Sequence, residues 1–250
     1  MELISIKEID NVQSVSSPHD QELKKFGNKW VSRFREFENR DLEKISRLIG
    51  GVVDSLGINE EWALTKNFYP EVRFHLSYHY HGEEFSDFGE EDALRFLFSG
   101  ERVRNATGED LTGMIDVTLN FIGRSLMGIV CEGNQDKLRN KYFESREKAI
   151  RYLDTSCRED MVEASNFLGG QYNKIDSKHV LEKEFFPELK VKIELGDDLR
   201  AFCTGDRTPS FTDHELDLLA VYTLNHIIRF IALKYSDQNL PEMCRKVFPQ

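Results

Sequence analysis

The stretch RFHLSYHYHG, Arg73 to Gly82, holds three of the chain's seven histidines, alternating with aromatics. Imidazole nitrogens bind zinc and other divalent metals, and histidine titrates near neutral pH. His75, His79 and His81 occupy odd positions, and Phe74, Leu76, Tyr78 and Tyr80 even ones, so in a strand all three imidazoles share one face. A strand rises about 3.3 Å per residue, which separates His75 from His79 by roughly 13 Å and rules out one shared ion. His79 and His81 are only about 6.6 Å apart and can converge. A turn at Gly82 would bring Glu84 beside His81. His79, His81 and Glu84 are then a candidate ligand set for zinc or another divalent metal. Asp87, Glu90, Glu91 and Asp92 crowd the same region and would raise the histidine pKa values, so a pH response is the related option. The bland alternative is a solvated strand face beside acidic neighbours.

Two further sets have spacing suited to binding. Asn120 and Arg124 are four residues apart, as are Asn225 and Arg229, and on a helix each pair shares a face. They are either a polar helix rim or a patch forming two related pockets. Arg102 and Arg207 each follow a returning strand whose partner begins at Glu71 or Glu188. Glu71–Arg102 and Glu188–Arg207 should therefore be neighbours, as an edge ion pair or as a ligand-clamping arginine.

The elements that must position these residues come in a repeated order. DLEKISRLIGG (Asp41–Gly51) recurs as DMVEASNFLGG (Asp160–Gly170), and FYPEVRFHL (Phe68–Leu76) as FFPELKVKI (Phe185–Ile193). Ser99–Leu126 aligns with Thr204–Ile231 without a gap over 28 positions, nine of them identical. Chance would supply about two. In this register His75 aligns with Lys192 and Ser77 with Glu194, which reads His75 as a wet-face residue. The offsets of 119, 117 and 105 make the second copy shorter by twelve residues after its first strand, beside the histidines.

Each copy opens with helical patterning, as in Leu23, Phe26, Trp30, Phe34 and Phe37. A second helix stops at Gly50-Gly51 or Gly169-Gly170. Phe-x-Pro-Glu then leads into a strand; Leu189, Val191 and Ile193 alternate with charge, GDD turns, and LRAFCTG returns. The last helix starts with a capping box, Thr107 to Asp110 or Thr212 to Glu215, the Glu version being the better one. The expected fold is α+β: two degenerate tandem ααββα repeats, with antiparallel hairpins packed against helices. Similar units commonly pack about a pseudo-two-fold axis. The chain divides into an extension (1–20, with LISI as an edge strand), copy one (21–131), copy two (134–235) and a tail (236–250) that docks on its own domain.

Composition narrows the function. A net charge of −11 with no basic patch argues against nucleic acid and against an anionic membrane surface. Leu216–Tyr235 is long enough to span a bilayer, but Asp217, Asn225, His226 and Arg229 interrupt it, so a buried helix is expected. Four scattered cysteines and an N-terminus without signal-peptide patterning suggest a reducing cytoplasm. G-x-S-x-G, P-loop, G-x-G-x-x-G, H-E-x-x-H and C-x-x-C are all absent. The sequence thus reads as a non-enzymatic cytoplasmic protein that binds a protein or small molecule at the repeat junction, with no cofactor expected. The alternative is a metal-dependent enzyme or metal/pH sensor built on His79, His81 and Glu84.

Overall fold

The computed structural model describes residues 2–11, 17–80, 92–128 and 139–249. It is an α+β fold with two four-stranded antiparallel sheets and, among the described residues, eight helices. The chain divides into two compact units, Met1–Arg104 and Asn105–Gln250.

The first unit contains α1 (Ile6–Ile9), α2 (Pro18–Phe34), α3 (Asn39–Ile49) and the meander β1 (Val52–Asp54), β2 (Trp62–Tyr69), β3 (Val72–His79) and β4 (Ala93–Ser99). Ser17 caps α2, whose buried face carries Leu23, Trp30 and Phe34. Ile4 bridges to Phe98, so the extension does reach the sheet edge.

The second unit begins with α4 (Gly108–Met127), followed by α5 (Arg139–Ile150) and α6 (Arg158–Leu168). The meander β5 (Gln171–Ile175), β6 (Lys178–Phe186), β7 (Leu189–Leu195) and β8 (Arg200–Thr204) leads into α7 (Asp213–Lys234) and α8 (Met243–Lys246). Helix α4 belongs to this unit by its contacts, whereas the sequence blocks group it with the preceding strands. Helix α7 packs on β7 and β8 on one side and on α4, α5, α6 and α8 on others. It is long and apolar enough to cross a membrane, yet 83% of its apolar window is buried inside the protein. The tail docks on its own unit, with Cys244 and Val247 buried.

The strand count corrects the ααββα expectation, because each sheet has four strands rather than one hairpin. Phe-x-Pro-Glu does not lead into the first strand; Pro-Glu is the turn between β2 and β3, and between β6 and β7. The missed β2 is buried at seven of its eight residues, including Thr65 and Lys66, so it lacks period-two alternation. Lys66 is accommodated because its Nζ donates to the Ile49 carbonyl at the end of α3 (2.5 Å). β1 is short and exposed, without an apolar face to detect.

Both Pro-Glu turns place glutamate in the left-handed region, Glu71 at φ 59° and Glu188 at φ 64°. The returning strand holds each turn by a backbone bond. Arg102 N donates to Glu71 O (3.1 Å), and Arg207 N to Glu188 O (3.3 Å). That approach needs glycine beside it: Gly205 has φ 120°, and a Cβ there would lie 2.1 Å from the Glu188 oxygen. Gly205→Ala is expected to lower unfolding free energy by about 1–3 kcal/mol, through strain at positive φ and displacement of the turn. Urea denaturation checks this, and an unchanged midpoint would contradict the close-approach account.

Candidate functional site

The site grows from the first turns of α4 and α7. Thr107 and Thr212 cap these helices, their hydroxyls accepting from Asp110 N (3.2 Å) and Glu215 N (3.3 Å). Glu215 reaches back to complete its capping box, accepting from Thr212 N (2.8 Å). Asp110 has a shorter arm and makes long-range contacts instead. It accepts from Asn225 Nδ2 (2.8 Å) and from Arg229 Nη2 (2.5 Å), both on α7. Reciprocally, Arg124 on α4 donates to Glu215 Oε2 (2.6 Å) and to the Ser210 carbonyl (3.0 Å).

Each helix thus offers its N3 acid to the other's arginine. The two halves differ in burial. Arg229 and Asp110 side chains are 2% and 3% exposed, against 14% and 7% for Arg124 and Glu215. Arg229 is held further by the tail, its Nε donating to the Val247 carbonyl (2.6 Å).

Arg146 on α5 extends the network, donating from Nε to Asn225 Oδ1 (2.7 Å). Asn225 then has no freedom to flip, because its amide nitrogen faces a carboxylate and its oxygen a guanidinium. Asp110, Arg146 and Asn225 line the buried side of a cavity of 80 Å³, Glu109, His214 and Asp217 complete its polar lining, and Leu218, Val221 and Tyr222 supply its apolar part.

The residues singled out by spacing separate into groups. Asn225 and Arg229 meet at Asp110, while Arg124 meets Glu215. Asn120, half-buried on α4, joins neither pair. Arg207 Nε donates to Glu188 Oε2 (3.1 Å), the edge pair the hairpin implied. In the first unit the Glu71–Arg102 proximity appears as the backbone bond, and Arg73 Nη2 approaches the Glu71 carboxylate at 3.5 Å. Asp110 and Arg146 were not singled out. The signal for Asp110 was its poor fit to the capping box; nothing local marks Arg146.

The histidine face is corrected. His75 is fully buried, and Ser77 and His79 lie buried beside it. The row survives burial by bonding within itself. Thr65 Oγ1 donates to Asp54 Oδ2 (3.1 Å), so the contact between Thr65 Oγ1 and His75 Nδ1 (2.7 Å) places the ring proton on Nδ1. His75 Nε2 then accepts from Ser99 Oγ (2.8 Å). Burial pushes the imidazole down to about 4, against the pull of Asp54. This order resembles a nucleophile, base and orienting acid, but Ser99 is 1% exposed. A base that weak also takes up no proton at neutral pH. The chain is therefore a buried polar network rather than catalytic machinery. His79 Nε2 contacts Ser77 Oγ (3.1 Å). His81 and Glu84 lie outside the described residues, as do Asp87, Glu90 and Glu91. Among the described residues no three His, Cys, Asp or Glu side chains are grouped to hold a metal.

Searches of protein-family models, curated proteins and solved structures find no match for the chain. The reading of the site therefore rests on its own geometry.

Asp110→Ala leaves Arg229 charged and buried, and is expected to cost about 3–5 kcal/mol of stability. The double change Asp110→Ala/Arg229→Met should recover a large part of it. A double variant no more stable than the single one would show that the charge pair is not what Asp110 supplies. A second expectation concerns pH. The folded His75 titrates at about 4, below the ordinary histidine value of 6.5. Its stabilising contribution is complete above about pH 6.5 and is lost as pH falls toward 4, because the unfolded chain binds the proton first. Urea midpoints measured from pH 7.5 to 4.5 should fall for the wild type and fall less for His75→Gln.

Proposed function

We propose that this protein is a non-enzymatic, cytoplasmic binding protein that takes a small molecule in the cavity bounded by α4, α5 and α7. One observation carries the reading: three polar groups on the inner side of that cavity are bonded to one another and held away from solvent. Asp110, Arg146 and Asn225 are cross-bonded and buried beside an apolar surface. Fixed donors and acceptors next to an apolar surface are the usual composition of a ligand site. At 80 Å³ the space equals about three waters of liquid volume, so the guest is a small solute or the end of a longer one. The metal-dependent alternative uses His79, His81 and Glu84, of which His79 alone lies among the described residues.

The test is a thermal-shift screen of a small-solute library, repeated on Leu218→Trp, which fills the cavity from a half-buried position. Solutes that raise the wild-type melting temperature should have no effect on the variant. Shifts that persist unchanged in Leu218→Trp would remove the cavity as the site.

A further inference from the structure

The first unit has a cavity of its own, and its lining has a distinct chemistry. Phe37, Trp62, Tyr78 and Tyr80 line an open space of 660 Å³. The Trp62 and Tyr78 rings are stacked, with centroids 5.6 Å apart. Tyr80 is 50% exposed, a large aromatic surface that folding leaves in water.

The charges in this lining are unequal. Arg35 contributes the one cation and is already matched, its Nε donating to Asp92 Oδ2 (2.5 Å). Tyr78 donates its hydroxyl to the same oxygen (2.8 Å), which ties the arginine, the acid and the ring into one support. Asp92, outside the lining, offsets Arg35, and Glu38 and Glu61 are the acidic residues of the lining itself. Aromatic faces attract cations through their quadrupole, and carboxylates add a longer-range pull. A metal ion or a bare ammonium would give up strong hydration to enter. A methylated ammonium is weakly hydrated, so it keeps most of the attraction and also buries its methyl groups on the rings.

We propose that this cavity binds a small soluble quaternary ammonium, with the exposed Tyr80 ring meeting its methyl groups, the buried Trp62–Tyr78 stack forming the floor, and Glu38 and Glu61 supplying the counter-charge. The test uses choline on the full-length chain, followed by isothermal titration and tryptophan fluorescence. Its neutral isostere, 3,3-dimethylbutan-1-ol, provides the comparison. Choline should bind saturably and about tenfold or more tighter than the isostere, a difference of about 1.4 kcal/mol. Tyr80→Ala and Glu61→Gln, both at exposed positions, should each weaken choline binding about threefold or more. The cavity-filling Leu218→Trp should leave it unchanged. Equal affinity for choline and the isostere would overturn the proposal in favour of an apolar groove. So would absence of saturation, or loss of choline binding in Leu218→Trp, which would move the cation to the helical cavity.

Discussion

Arg229 lies inside the second unit at 2% exposure, and a guanidinium cannot shed its charge to suit such a place. Everything around it answers that constraint. Asp110 supplies the counter-charge from α4, and the Val247 carbonyl supplies a further acceptor from the tail. One side chain of α7 thus ties together the first turn of α4 and the tail. An uncompensated charge at this depth would cost several kcal/mol, comparable to a large part of a domain's net stability.

The same constraint shapes the cavity. Asp110 has two oxygens, and Arg229 takes one of them. The other accepts from Asn225, whose own oxygen is then turned toward Arg146. The inner polar wall of the cavity is thus a by-product of satisfying a buried ion pair, and each of its groups is bonded to the next. Rigid polar groups beside an apolar surface bind with little ordering cost, the physical basis of the binding role proposed for that cavity. The first unit handles its buried polar groups differently. Thr65, His75 and Ser99 pass hydrogen bonds along one buried chain of neutral groups that ends on the exposed carboxylate of Asp54. Depth and a depressed imidazole pKa make that chain a support for the sheet rather than a reaction centre.

How much was legible in the sequence depended on range. The caps at Thr107 and Thr212, the stop at Gly50 and the stop at Gly169 depend on residues a few positions apart, and all stand as read. The β7 strand, with one buried and one half-exposed face, shows the alternation that marks it. The β2 strand does not, because burial on both faces removes the periodic signal. His75 was misread for the same reason: whether a strand face is wet depends on what covers it, and the aligned Lys192 row carries a different environment.

By itself the sequence determined the α+β class, the helix ends, the close approach of Glu188 to Arg207, and the equivalence in spacing of Arg124 and Arg229. These follow from backbone sterics, capping and periodicity, which act over a few residues. Only the tertiary structure decided that Asp110, rather than Asn120, completes the site with Asn225 and Arg229. It also decided that Arg146 reaches the same asparagine and that the histidine face is dry. Asp110 and Arg229 are 119 residues apart in sequence. Their meeting depends on how α4 packs against α7, and that packing is set by the summed burial of many side chains, which no local spacing encodes.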